Sequence, residues 1–211
     1  MSNTFSNADT ISWLRALAIK YKEKEGYLTD LDRAIGDADH GYNMSRGFTA
    51  VAEKLPALEG KDIGTILKTV AMTLISTVGG ASGPLFGSFF LQAANVANGK
   101  TELSISELGS MLEAGFKSVQ QRGKAILGDK TMIDAMEPAI AAYQNATNES
   151  LPLALDKTRQ AARVGADSTI PLVAKKGRAS YLGERSAGHL DPGAESTTIL
   201  FDELYNVVAV K

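Results

Sequence analysis

Residues 30–47 read Asp-Leu-Asp-Arg-Ala-Ile-Gly-Asp-Ala-Asp-His-Gly-Tyr-Asn-Met-Ser-Arg-Gly. Asp32, Asp37 and Asp39 fall close together, and Gly36 and Gly41 let the backbone bend until the side chains can converge. Such a group of carboxylates repels itself unless a cation sits in it. Hard divalent ions take carboxylate oxygens, and magnesium in particular is held by a few carboxylates while substrate phosphates complete its octahedron. The stretch therefore reads as a magnesium and phosphate site. An isolated pair of aspartates would more often be a solvated turn, with Asp30 or Asp32 capping a helix. The third aspartate, the two glycines and the polar His40 and Asn43 favour a site. Counting excludes two other metal motifs. With Asp37 as the first position of an EF-hand loop, Gly41 is fifth rather than sixth and Phe48 occupies the place of the bidentate Glu. The only histidines are His40 and His189 and there is no cysteine, so a typical structural zinc site cannot be built.

Outward from this stretch the pattern is helical on both sides. Before it, Ile11, Leu14, Leu17, Ala18 and Tyr21 predict a helix from Ala8 to Tyr27, capped by Asn7 or Asp9 and closed by Gly26. After it, Met44, Phe48, Val51 and Leu55 mark a second helix that Pro56 ends, with Asn43 in its first turn, so the aspartates sit where free N–H groups favour anions. Residues 62–78 carry an apolar stripe through Ile63, Ile66, Leu67, Val70, Leu74 and Val78, which is core. Gly79-Gly80-Ala81-Ser82-Gly83-Pro84 follows, and then an apolar segment from Leu85 to Val96. Small residues before a proline leave backbone N–H groups uncovered, which is how a chain cradles phosphate. The loop lacks the Lys and Ser/Thr of a P-loop, and the helix before it argues against a dinucleotide fingerprint.

Ser104 and Glu107 have the spacing of a capping box opening a helix to Gly123. A polar connection to Met132 leads into a helix over about 133–146 that contains Pro138. An alanine-rich helix from Leu151 is expected to reach Ala174 unless Pro171 stops it, with Ala154, Ala161, Ala162, Gly165 and Ala166 allowing a close helix contact. Residues 175–197 show no sustained period, and their mixture of Tyr181, Leu182, Arg178, Arg185 and His189 suits wrapping a ligand better than a solvated linker. Thr198 to Val210 closes the chain as a helix. Eight helical segments without a convincing strand make the fold all-α, with short connections, antiparallel neighbours and one domain over residues 1–211.

Composition narrows the function. The 211 residues are 44% hydrophobic and 22% charged, which permits a sizeable core. A net charge of -2 gives no bulk attraction to nucleic acid or anionic lipid, so a polyanion must be gripped locally. The absence of cysteine fits a reducing compartment, the N-terminal residues lack a signal-peptide pattern, and no apolar run is long enough to span a membrane, so the expected location is cytoplasmic.

Four motifs in order, Gly-Asp-Ala-Asp-His-Gly-Tyr-Asn-Met (36–44), Gly-Gly-Ala-Ser-Gly-Pro-Leu-Phe-Gly (79–87), Arg-Gly-Lys-Ala followed by Gly-Asp-Lys-Thr-Met (122–132), and Lys-Gly-Arg-Ala-Ser-Tyr-Leu-Gly-Glu-Arg-Ser-Ala-Gly-His-Leu-Asp-Pro-Gly-Ala (176–194), resemble the nucleotide-binding L subunits of bacterial dihydroxyacetone kinases. The resemblance covers nearly the whole chain. It implies an eight-helix antiparallel barrel with a nucleotide at one end, ADP or ATP as the bound coenzyme, and two magnesium ions held by Asp32, Asp37 and Asp39. By the same resemblance His40, Gly41, Tyr42, Asn43, Gly80, Ala81, Ser82, Gly83, Gly123, Met132, Arg178, Asp191, Pro192 and Gly193 surround the nucleotide. His40 after the third aspartate resembles the phosphotransferase-system-dependent variant, in which bound ADP is phosphorylated by a phosphohistidine protein and the resulting ATP phosphorylates dihydroxyacetone held on a separate subunit. That implies two partner subunits, one binding dihydroxyacetone and one bearing the phosphohistidine; a second copy of the chain is a further candidate partner. The substrate's own reactive residue is then expected on a partner, so no general base is assigned here. Two rivals stay open on the residues: a free-standing ATP-dependent small-molecule kinase, and a nucleotide-sensing regulatory module.

Overall fold

A computed structural model describes residues 3–210. Ser6 and Asp9 form a capping box that starts α1 (Asn7–Glu23), with the Asp9 carboxylate accepting the Ser6 N–H at 2.7 Å. The helix breaks at Lys24, and α2 (Glu25–Ile35) starts at once. Gly26 thus lies inside the second helix instead of closing the first, because Leu28, Leu31, Asp32 and Ile35 give the segment an inward stripe of its own. Asp32 is consequently in the last turn of a helix rather than in a loop.

After a short non-helical turn, α3 (His40–Lys54) runs to a 3-10 segment at Leu55–Leu58 around Pro56. Asp62 caps α4 (Ile63–Thr77) by accepting the Thr65 N–H at 3.0 Å. α5 (Ser82–Val96) begins three residues before Leu85, so Ser82, Gly83 and Pro84 form its first turn. The expected capping box at Ser104 and Glu107 opens α6 (Ile105–Gly123), and a second one, Thr131 with Asp134, opens α7 (Met132–Asn145). α8 (Leu151–Ser168) stops short of both Pro171 and Ala174. Gly165 meets α7 so closely that a Cβ there would lie 2.1 Å from the Asp134 carbonyl, the close approach the small residues allow. α9 (Pro192–Ala209) starts six residues earlier than Thr198, because Asp191 accepts the Ala194 N–H at 2.8 Å and Pro192 takes the first helical position. The intervening stretch holds a kinked 3-10 segment, Arg178–Ser186.

Eight of these nine helices form a closed ring in which α1, α3, α4, α5, α6, α7, α8 and α9 each pack on the next and α9 returns to α1. The extra helix, α2, lies against α3, α9 and the 3-10 segment Arg178–Ser186. The ring is filled by one apolar cluster in which Tyr21 stacks on Phe48 at 4.6 Å and Trp13 meets Phe90 at 5.7 Å. The polar tips of two rings are satisfied across the α1–α9 seam: Trp13 donates to the Leu200 carbonyl at 3.0 Å and Tyr21 to that of Ser196 at 2.8 Å. Two three-residue strands, β1 (Thr4–Ser6) and β2 (Glu102–Ser104), pair antiparallel with Phe5 opposite Leu103, a pairing too short to leave an alternating pattern in the sequence. Among the described residues no helix is long and apolar enough to cross a membrane.

The up-and-down order places the first residues of α3, α5, α7 and α9 at one end of the ring, together with the last residues of α2, α4, α6 and α8. Four positive helix ends therefore face a common space, and the aspartates stand at its edge.

Candidate functional site

A cavity of about 440 Å³ occupies that end. On one wall, Asp32, Asp37 and Asp39 each bring a carboxylate oxygen within 4.8 Å of the other two. At an effective dielectric of ~20, each such pair of charges repels by about 3.5 kcal/mol or more, so the cluster persists because other groups hold it. The Asp32 Oδ2 accepts the backbone N–H groups of Asp39 at 2.9 Å and His40 at 3.2 Å. Asp32 thereby caps α3 from the end of α2, and Asp39, the formal N-cap, makes no side-chain cap of its own. Its carboxylate is left for a ligand. Ala38, in the left-handed region at φ 62°, turns the chain between Asp37 and Asp39. Gly36 completes the arrangement, because a Cβ there would lie 2.0 Å from the Asp32 Oδ1. The Arg178 Nη2 pairs with Asp37 at 2.9 Å across the mouth of the cavity. Three oxygen donors with no sulfur and no imidazole nitrogen among them fit a hard divalent cation.

The adjoining wall is the Gly79–Ala81 turn and the start of α5. Ala81 offers that helix no side-chain cap, so its first N–H groups face the cavity uncovered. The His40 Nδ1 lies 3.1 Å from the Ser82 Oγ and its Nε2 lies 2.7 Å from the Ser196 Oγ. The ring ties α3, α5 and α9 together, and burial lowers its pKa, which favours the neutral imidazole.

The third wall is mostly apolar, with Leu85, Phe86, Val119, Met132 and Ile133 beside Gly123. Asp191, Pro192 and Gly193 border it at the start of α9, and Lys176 to Ala179 close the side. Asp191 is buried and already caps α9, and burial pushes its pKa up to about 7.

The expected residues Asp32, Asp37, Asp39, His40, Gly80, Ala81, Ser82, Gly123, Met132, Arg178, Asp191, Pro192 and Gly193 line this one cavity, whereas Gly41, Tyr42, Asn43 and Gly83 do not. Gly41 lies against α2, where a Cβ would fall 2.0 Å from the Glu25 carbonyl. Gly83 packs equally tightly on the Val78 carbonyl, at 2.2 Å. Tyr42 turns outward beneath Arg46, 5.3 Å from its ring, and Asn43 accepts from Arg46 at 3.0 Å beside Gly79. Their neighbourhood in sequence reflects the close packing of α2, α3, α4 and α5 behind the cavity.

Sequence reading missed Lys130, which borders the cavity yet is 1% exposed. It also missed Ile35, whose side chain packs with Ala174 and Ala179 and so seats the 3-10 segment on α2. Lys130 stands inside the third motif, in Gly-Asp-Lys-Thr, yet reads only as part of a polar connection rich in turn formers.

A family model described as the DAK2 domain matches residues 34–206. The chain is 49% identical over 203 residues to the Escherichia coli K12 protein named PEP-dependent dihydroxyacetone kinase, ADP-binding subunit DhaL, covering 95% of this chain and 97% of that one. It is 50% identical over 188 residues to the corresponding subunit of dihydroxyacetone kinase 2 of Listeria innocua, covering 88% and 87% of the two chains. The PTS-dependent DhaL of Lactococcus lactis is 43% identical over 200 residues, with 95% and 97% covered. Among solved structures, the dihydroxyacetone kinase from C. freundii in complex with AMP-PNP and Mg2+ superposes with a TM-score of 0.72 at 25% identity, covering 95% of this chain and 34% of the longer one. The match of fold, the length of the shared sequence and the family model agree that this chain belongs to the DAK2 domain family.

Proposed function

We propose that the chain is the ADP-binding, phosphoryl-transferring subunit of a PEP-dependent dihydroxyacetone kinase. The observation that carries this reading is the facing of two surfaces across one cavity: three converging carboxylates on one side and the uncapped start of α5 on the other. Neither surface alone is selective. Together they suit a polyphosphate whose oxygens are shared between cations and backbone N–H groups.

Asp32, Asp37 and Asp39 would hold magnesium, two ions by the proposal, which supply charge neutralisation at the phosphate oxygens. Asp32 orients the set through its bonds to the Asp39 and His40 N–H groups. The N–H groups at Gly80, Ala81 and Ser82 would receive phosphate, with the Ser82 hydroxyl held by His40. Arg178, 65% exposed in its side chain at the cavity mouth, is placed to add a charge-assisted contact once it leaves Asp37. The apolar wall of Leu85, Phe86, Val119 and Met132 would receive the base and exclude water. Phosphoryl transfer needs positioning and charge compensation more than a covalent group.

His40 is tied between two serines, so it is not free to take a substrate proton. That supports dihydroxyacetone being presented by a partner subunit, with a phosphohistidine protein recharging the bound ADP. The relatives whose names specify PEP or PTS dependence support the same division of labour, and cytoplasmic location is part of the proposal. The test is to purify the protein without added nucleotide, denature it and identify what is released. About one ADP per chain, followed by its phosphorylation from a phosphohistidine donor, is expected. Absence of bound nucleotide with free ATP-supported turnover would overturn the coenzyme reading in favour of an ATP-dependent kinase.

A further inference from the structure

Lys130 has no part in the chemistry above, although it borders the cavity. Its backbone sits in the left-handed region at φ 60°, which turns the side chain under the stretch that joins α8 to α9. The ammonium donates to the Thr169 carbonyl at 2.6 Å and to that of His189, with the Ile170 carbonyl at 3.5 Å. Three donors converge on three backbone acceptors, which leaves none for a phosphate. Burial lowers the Lys130 pKa, and the nearby charges of Asp191 and Asp134 oppose that shift.

The carbonyls it holds belong to the two feet of one strap, residues 169–191. The feet also bond to each other: Gly188 donates to the Ile170 carbonyl at 2.7 Å and Asp191 to the Thr169 hydroxyl at 3.0 Å. Between them the strap bonds back beside Lys130, where the Lys175 N–H donates to the Asp129 carbonyl at 3.1 Å. It then packs Ala174 and Ala179 on Ile35 and brings Arg178 to Asp37. The strap is therefore fixed at its feet by the buried ammonium and at its crown by the packing on Ile35 and an exposed ion pair.

We infer that Lys130 is a positioning residue whose ammonium pins both feet of the 169–191 strap and thereby sets how long a nucleotide stays in the cavity, without touching phosphate. The inference rests on the nucleotide-binding reading. Replacing the ammonium by a thioether would strand the buried carbonyls, and water entering to satisfy them would loosen the strap at its base. The aspartate cluster is held by α2 and α3 instead, so its affinity for a cation should not fall with the strap, and can only rise where Arg178 leaves Asp37.

The test compares Lys130→Met and Lys130→Arg with the parent in the full chain. The readouts are release of N-methylanthraniloyl-ADP, tryptic cleavage at Lys175, Lys176, Arg178 and Arg185, and binding of Mn2+ alone. Lys130→Met should release the analogue at least tenfold faster and be cut sooner in the strap, with Mn2+ affinity no weaker than the parent's and helicity intact. Lys130→Arg, which keeps the charge but cannot aim three donors from one point, should fall between. Unchanged release and cleavage would overturn the inference. So would a parallel loss of Mn2+ affinity, which marks a general structural role. Should Lys130→Met not fold, the parent and Lys130→Arg carry the same comparison. A parent that binds no nucleotide would refute the proposed function instead, and strap cleavage in the nucleotide-free proteins would still decide the clamp.

Discussion

Gly36→Ala tests the aspartate cluster through a residue that offers no ligand atom. A Cβ at this position would stand 2.0 Å from the Asp32 Oδ1, 2.9 Å from its Cγ and 3.0 Å from its carbonyl oxygen. The carboxylate must rotate away, and in doing so it abandons the N–H groups of Asp39 and His40. Losing a charged cap shared by two N–H groups should cost about 2–3 kcal/mol, and for a chain of this size that lowers Tm by roughly 5–10 °C. Divalent cation affinity should fall at least tenfold, because one of three ligands leaves and the start of α3 loosens under another. Gly26→Ala is the matched control: it lies in the same helix, a Cβ there meets nothing within 4 Å, and the change should be neutral or stabilising by up to about 1 kcal/mol. Titration calorimetry with Mg2+ and thermal melts of the three proteins make the measurement. A Gly36→Ala protein that melts and binds Mg2+ like the parent would refute the view that Asp32 is locked in place by its neighbour's missing side chain.

Asp37→Asn should weaken Mg2+ binding and abolish phosphoryl transfer while leaving Tm nearly unchanged, since the ion pair it loses to Arg178 is exposed and worth at most about 1 kcal/mol; normal turnover with the parent's Mg2+ dependence would remove Asp37 from the ligand set. Arg178→Gln, by freeing Asp37 from a competing cation, should raise the affinity for Mn2+ alone, and calorimetry showing no gain would mean the pair does not compete. The third concerns pH. The folded pKa of Asp191, pushed up to about 7 by burial, exceeds its ordinary value of 3.8, so the stability it contributes is full below pH 3.8 and is lost as pH rises through 7. In nucleotide-free protein Asp191→Asn should therefore melt above the parent at pH 8, by no more than ~4 kcal/mol, with the gap narrowing toward pH 4. A gap that is constant with pH would show that Asp191 ionises freely in its pocket.

The helices that bury a continuous stripe, α4 and α6, could be read from spacing and capping residues alone, and the aspartates from their density. α2 could not, because Gly26 carries the same meaning to a local reading whether it stops a helix or sits in the first turn of the next. What decided it was nonlocal: Leu28 and Ile35 find partners on the ring and on the strap. The start of α9 was legible in principle from Asp191-Pro192, a capping residue followed by a proline at the first helical position. The absence of apolar periodicity before Ile199 hid it, since the second turn buries Ser196, Thr197 and Thr198 rather than aliphatic side chains. Tyr42 and Asn43 were placed in the site by the family resemblance; in the structure Tyr42 points outward beneath Arg46, and Asn43, one turn on from His40, is buried against Gly79 behind the cavity lining. Lys130 escaped because its partners are backbone carbonyls, which leave no trace in composition.

The closing of the ring by α1 and α9 bears on how the protein is made. Asp32 and His40 emerge early from a ribosome, yet the serine that holds the far side of His40 is residue 196, and the indole of Trp13 waits for the carbonyl of Leu200. A nascent chain can place its aspartates and its phosphate turn well before it can seal the space between them. On the proposed reading, nucleotide capture should thus be a late event in synthesis, arriving with the last helix rather than with the segment that carries the aspartates.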